Sequence, residues 1–175
     1  METDVKSVDA LNLLKQDHRT VEKLFQSWTR LSDATERHQL CRQICQELTV
    51  HSQMEEQCFY PEVRTMAGLE DMVDESLREH GHVKQLCAEL ESMQAGDARL
   101  SAQMGELQRA VEHHVKEEER EMFPKVRETC DQQWLLSLGL AMQQQKTQLT
   151  QQVTMPGEQR IREDVRQPSR SESWR

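Results

Sequence analysis

Glycine and proline are scarce in this 175-residue chain, six and four residues respectively. That scarcity excludes a loop-rich or low-complexity protein, and the abundance of Leu, Gln, Glu, Arg and Ala favours helix throughout. Long apolar runs are missing as well. No stretch approaches the roughly 20 apolar residues that a membrane-crossing helix needs. The opening Met1-Glu2-Thr3-Asp4-Val5-Lys6 has neither the basic start nor the apolar segment of a secretory signal. Clustered basic residues are absent too, and the net charge is −9. Nucleic acid and anionic membrane surfaces are therefore not expected as partners, because phosphate contacts need Lys and Arg in groups. Five cysteines occur, an odd number, and no Cys-x-x-Cys is among them. The expected setting is the reducing cytoplasm, with cysteines as small apolar filler. Cys41 and Cys45, one helical turn apart, could instead oxidise or bind metal, which is the weaker reading of so short a signal.

What the chain does contain is a repeat. His51-Ser-Gln-Met-Glu55-Glu56-Gln-Cys-Phe59-Tyr60-Pro61-Glu-Val63-Arg64 recurs as His114-Val-Lys-Glu-Glu118-Glu119-Arg-Glu-Met122-Phe123-Pro124-Lys-Val126-Arg127. Upstream of each copy stands an acid followed by His: Asp17-His18-x-x-Val21-x-x-Leu24, then Glu79-His80-x-x-Val83-x-x-Leu86. The chain reads as a tandem duplication of one helix pair, each pair carrying one His and one His-x-x-x-Glu.

Taken in order, residues 1–7 are a polar lead-in and residues 8–149 carry helical periodicity. The first stripe is Leu11, Leu14, His18, Val21, Phe25 and Trp28. Asp33, with Glu36 three residues on, supplies a helix start. The second stripe is Leu40, Ile44, Leu48, His51, Glu55 and Phe59, and Pro61 should kink or end that helix. After a break at Met66-Ala67-Gly68 the third stripe is Leu69, Val73, Leu77 or Ser76, His80, Val83, Cys87 and Leu90. After Gly96-Asp97 the fourth is Leu100, Met104, Leu107, Val111, His114, Glu118 and Met122, with Pro124 matching Pro61. A shorter amphipathic segment from Trp134 to Leu149 is expected to pack across an end of the bundle. Residues 150–175 are polar and are expected to form a disordered tail.

Distance from each turn tests whether the polar stripe residues meet. His18 lies about 15 residues before the first turn and His51 about 18 after it, a vertical offset of a few ångström at about 1.5 Å per residue. Glu55 and His80 about the second turn, and His80 and His114 about the third, match as closely. Glu55 and Glu118 stand one turn from His51 and His114 on the same faces. Four imidazoles and two carboxylates at one level are too many for a tetrahedral zinc. They suit two adjacent ions, bridged by the carboxylates, with room for an exogenous ligand. Iron fits such mixed ligation best among common metals, and manganese next. The bland alternative is a set of ordinary core histidines. Burying all six groups without a counter-ion would cost several kcal/mol each, which weighs against it. Glu56 and Glu119 are read as solvated face residues, His38 as a surface residue, and His82 and His113 as exposed or outside the ligand set. Glu22 is a marginal extra ligand, and Tyr60 and Glu56 are marginal acid–base candidates.

At these motifs the sequence resembles the hemerythrin-like (HHE cation-binding) family. The resemblance runs over about residues 8–149 and rests on Leu13-Leu14-x-x-Asp17-His18, His51-x-x-x-Glu55-Glu56-x-x-Phe59-Tyr60-Pro61, Glu79-His80-x-x-Val83-x-x-Leu86 and His114-x-x-x-Glu118-Glu119-x-x-x-Phe123-Pro124. It implies an all-α, up-and-down four-helix bundle around a non-haem di-iron centre with an oxo or hydroxo bridge. Carried over, His18, His51, His80 and His114 would be terminal ligands, and Glu55 and Glu118 the bridging carboxylates. Two positions depart from the oxygen-carrying members of that family. A second third-helix His is replaced by Lys84, and their last ligand, an Asp, has Glu118 in its place. With fewer imidazoles, one iron is expected to keep an open or water-filled site, which favours reaction over reversible carriage.

Four functions compete. The first is a di-iron protein binding or reacting with O2, peroxide or NO in redox or iron homeostasis. The second is a di-iron enzyme of peroxidase or catalase type, the metal serving as Lewis acid and redox centre. The third is an iron- or oxygen-responsive interaction module, and the fourth a metal-free structural bundle. The sequence names no partner protein and no oligomeric state.

Overall fold

The computed structural model describes residues 8–154, so the lead-in at 1–7 and the chain from 155 onward lie outside the described residues. The described part is helical, with no strand among those residues. Its elements are α1 (Ala10–Arg30), α2 (Ala34–Met54), α3 (Tyr60–Val63), α4 (Glu70–Ser92), α5 (Leu100–Glu117), α6 (Phe123–Thr129) and α7 (Gln132–Thr154). π-Helical turns, Glu55–Phe59 and Glu118–Met122, join α2 to α3 and α5 to α6.

The starts and stops have local causes. Asp9 caps α1 by accepting from the Asn12 amide at 2.9 Å. Asp33 caps α2, accepting from the Thr35 and Glu36 amides at 2.9 Å each. Gly68 and Gly96 take the left-handed conformation (φ 76° and 85°) in the connections before α4 and α5. Trp28 ties the first connection down, donating its indole N–H to the Arg37 carbonyl at 2.9 Å while the Arg37 guanidinium lies 3.9 Å from its ring centre.

The expected stripes face inward, with one exchange. In α4 it is Ser76 that is buried, whereas Leu77 is 36% exposed. In α2, Leu40 is only half-buried. Nor do the helices end at the prolines. Each proline sits at the start of a new helical turn, where its missing N–H costs no intrahelical bond. The π turn in front widens the winding, so that the Tyr60 and Phe123 amides donate to the carbonyls of Glu55 and Glu118, five residues back. His38 is half-buried rather than a surface residue, its Nε2 lying 2.8 Å from the Met93 carbonyl.

The last helix differs most from expectation. α7 is 23 residues long and packs along both α1 and α2, not across an end. It runs in the same direction as α1: Gly139 lies against Val8–Ala10 and Lys146 pairs with Asp17. A Cβ at Gly139 would fall 2.2 Å from the Val8 carbonyl oxygen, so only glycine permits that approach. Residues 150–154, placed in the tail from sequence, belong to this helix.

Two apolar cores result. One gathers Leu11, Leu14, Met54, Phe59, Val73, Met122 and Phe123 with Leu135 and Met142 of α7. The other gathers Val21, Phe25, Ile44, Leu48, Val83, Leu107 and Val111, together with Cys41, Cys45 and Cys87. Those three cysteines are buried filler, and burial helps hold the Cys41 and Cys45 thiols in their protonated form. Between the two cores lies one polar layer.

Candidate metal centre

That layer consists of His18 on α1, His51 on α2, His80 on α4 and His114 on α5, with Glu55 and Glu118 at the heads of the π turns. All six are buried, both glutamates to 1% exposure or less. The imidazoles fall into two pairs. The His18 and His51 ring centres are 5.0 Å apart, and those of His80 and His114 4.7 Å. Each carboxylate faces one imidazole of either pair. Glu55 Oε2 is 3.2 Å from both His51 Nε2 and His80 Nε2. Glu118 Oε2 is 3.3 Å from His18 Nε2 and 3.5 Å from His114 Nε2. Ligand atoms of His18, His51, Glu55 and Glu118 lie within 4.8 Å of one another, as do those of Glu55, His80 and His114. The structure thus brings together every residue that the sequence singled out. Glu22 is not part of the cluster; it is exposed on α1.

The layer leaves polar atoms without partners. His18 Nε2, His51 Nε2, Glu55 Oε1 and Glu118 Oε2 are buried and make no hydrogen bond. Orphaned buried groups are costly, and here they face one another, which is the arrangement a cation between them would satisfy. The donor set, imidazole nitrogen and carboxylate oxygen, fits iron or manganese.

Behind each imidazole stands an acid that the stripe analysis placed elsewhere. His80 Nδ1–H donates to Glu56 Oε1 at 2.9 Å and His18 Nδ1–H to Glu119 Oε1 at 2.8 Å. Glu56 and Glu119 are therefore not solvated face residues but partners of the imidazoles. His114 Nδ1–H donates to Glu79 Oε2 at 2.8 Å, and His51 Nδ1 lies at ion-pair distance, 3.6 Å, from Asp17 Oδ2. His82 and His113 are exposed as expected, and His113 Nε2 touches Glu79 from outside at 3.3 Å.

Charge and burial compete throughout. Burial opposes charge on Glu55, but His51 and His80 outweigh it and hold the carboxyl well below the ordinary range. Burial likewise opposes a proton on His51, yet Glu55 and Asp17 push that imidazole up to about 10. His80 is pushed up to about 9 by Glu55 and Glu56 against its own burial.

Tyr60 enters the layer on one side only. Its hydroxyl donates to Glu118 Oε1 at 2.8 Å and lies 3.3 Å from both Glu55 Oε2 and His80 Nε2. Burial and the negative charge of Glu118 and Glu55 hold its proton on. The matching position in the second copy is Phe123, whose ring stacks on His18 at 6.0 Å. Opposite the tyrosine is an enclosed cavity of about 20 Å³, lined by the four histidines and by Val21, Leu48, Val83, Val111 and Val115.

Fold and site together define a helical protein that presents imidazole and carboxylate groups to a cation in its core. The chain belongs to the hemerythrin HHE cation-binding domain family, whose model matches residues 9–126. It is similar to a DNA nickase of a Nostoc species, at 24% identity over 89% of this chain and 45% of that one. It is also similar to an uncharacterized hemerythrin-like protein of Schizosaccharomyces pombe, at 25% identity over 75% of this chain and 66% of that one. The chain therefore spans less than two thirds of either relative. Its fold resembles the crystal structure of a hemerythrin HHE cation-binding domain protein from Mycobacterium kansasii. The TM-score is 0.71 at 24% identity, covering 82% of this chain and 88% of that one.

Proposed function

We propose that the chain holds two adjacent iron ions and binds or reacts with O2, peroxide or NO in redox or iron homeostasis. His18 and His51 would hold one ion, His80 and His114 the other, and Glu55 and Glu118 would bridge them. The observation that carries this is the placement of each carboxylate oxygen between two imidazoles of different pairs. Bound there, the metal pair would supply a redox-active Lewis acid. The chain would supply the rest: carboxylates that fix each ring, a largely apolar wall that excludes water, and a cavity with room for about one water-sized molecule. A ligand of two or so heavy atoms fits that space. The Nostoc relative's DNA chemistry is not carried over, because a net charge of −9 disfavours a phosphate backbone.

A second reading, a peroxidase- or catalase-type enzyme, is favoured by Tyr60. Its hydroxyl is the one proton-bearing group besides the imidazoles that touches both proposed bridging carboxylates. Peroxide turnover by the iron-loaded chain separates the two readings.

The test of the first is metal content per chain on protein prepared without chelator or affinity metal. Close to two irons are expected, lost together in a His51→Ala/His114→Ala variant. A metal-free chain that gains no thermal stability from ferrous iron would sink the proposal.

A further inference from the structure

The duplication maps α1 onto α4 and α2 onto α5, so the α2–α4 contact and the α1–α5 contact are counterparts. They are not alike. α2 and α4 pack closely, and Lys84 Nζ bridges both oxygens of Glu56 at 2.7 Å across them. α1 and α5 stand further apart, and a groove of about 560 Å³ runs between them. The residue that corresponds to Lys84 is Glu22, and the counterpart of Glu56 is Glu119. Two carboxylates therefore stand where the other face has an ion pair.

The groove leads to the polar layer. Its lining includes His18, Val111 and Val115, and the same three residues line the inner cavity. Phe25 adds to its apolar part, and Arg19, Lys116 and Arg120 are balanced by Glu22, Glu112 and Glu119. With those charges cancelling, the groove presents no field that would draw in an anion or a cation.

Building on the di-metal reading, we propose that the α1–α5 groove is the entrance through which a small neutral molecule reaches the centre, with Val111 and Val115 as its gate. A side chain that narrows an entrance without touching the site alters the barrier and not the end states. Association and dissociation should then slow by the same factor.

The test uses the chain loaded with ferrous iron and nitric oxide as the probe, with both rates followed by absorption. Gln26 lines the groove but not the inner cavity. Gln26→Trp should slow both rates by about tenfold, with Kd and iron content unchanged. Lys84→Ala, on the closed face, should leave both rates as they are. Unaltered rates in Gln26→Trp, or faster entry in Lys84→Ala, would overturn the proposal. A chain that takes up no iron, or whose iron form ignores nitric oxide, refutes the di-metal reading instead. Krypton-pressurised crystals of the metal-free chain then decide the route: gas between Val111 and Val115 supports it, and gas only at the α2–α4 face overturns it.

Discussion

An imidazole binds metal well only when its ring is held in the tautomer that leaves the metal-facing nitrogen free. Here the Nδ1 of His18, His80 and His114 donates to a carboxylate, so Nε2 keeps its lone pair for the centre. Glu119→Gln replaces a charged acceptor with a neutral one and removes its pull on His18. We expect metal affinity to fall by about 10- to 100-fold, read by competition with a chelator, with the helical signal unchanged. Retained affinity would show that the Glu119 contact is incidental. The six residues of the centre were legible in the sequence because duplication printed them twice. Glu56 and Glu119 were misread because each lies off its own helix's stripe, and only the neighbouring helix supplies its partner. A signal did exist: Asp17, Glu56, Glu79 and Glu119 each adjoin a predicted ligand and recur in both copies.

At the scale of elements, the π turns explain how Tyr60 reaches the centre. In an unbroken α-helix Phe59 and Tyr60 would point about 100° apart, and one of them would face away from the core. The wider turn buries both, as it does Met122 and Phe123. Sequence periodicity assumes regular winding, so Pro61 and Pro124 read as helix stops when they mark a change of pitch. α7 was underestimated for a related reason. Its buried face alternates Leu135, Gly139, Met142 and Leu149 with glutamines, a stripe too thin to outline a 23-residue helix. Yet α7 supports the site, because Lys146 pairs with Asp17, the acid behind His51. Lys146→Met would leave that buried carboxylate one partner short, at a cost of about 1–3 kcal/mol. For a chain of this length that predicts a melting temperature lower by roughly 2–10 °C. The double variant Lys146→Met/Asp17→Asn should recover part of the loss. A melting temperature unchanged in the single variant would show that α7 is held by its apolar face alone.

For the molecule as a whole, the polar layer ties stability to pH and to metal at once. His51 at about 10 and His80 at about 9 carry protons at neutral pH when no metal is bound. A folded-state value above the ordinary 6.5 contributes stability in full below 6.5, and that contribution is lost as pH rises through 9 to 10. Glu55 has the opposite sign: its lowered value stabilises above 4.5, and the contribution is lost as pH falls. The metal-free chain should therefore melt at progressively lower temperature between about pH 7 and pH 10. A bound metal pair takes the lone pairs those protons occupied, so loading should release protons and flatten the alkaline limb. Melting curves of both forms across that range make the comparison. Parallel curves would mean that metal and proton do not share these nitrogens, and the centre would lie elsewhere. Curves that converge at low pH and separate at high pH would assign both roles to one layer. The duplication made that layer readable from sequence, but the difference between the α1–α5 and α2–α4 faces was not, because it turns on one charge exchange and on how far two helices stand apart.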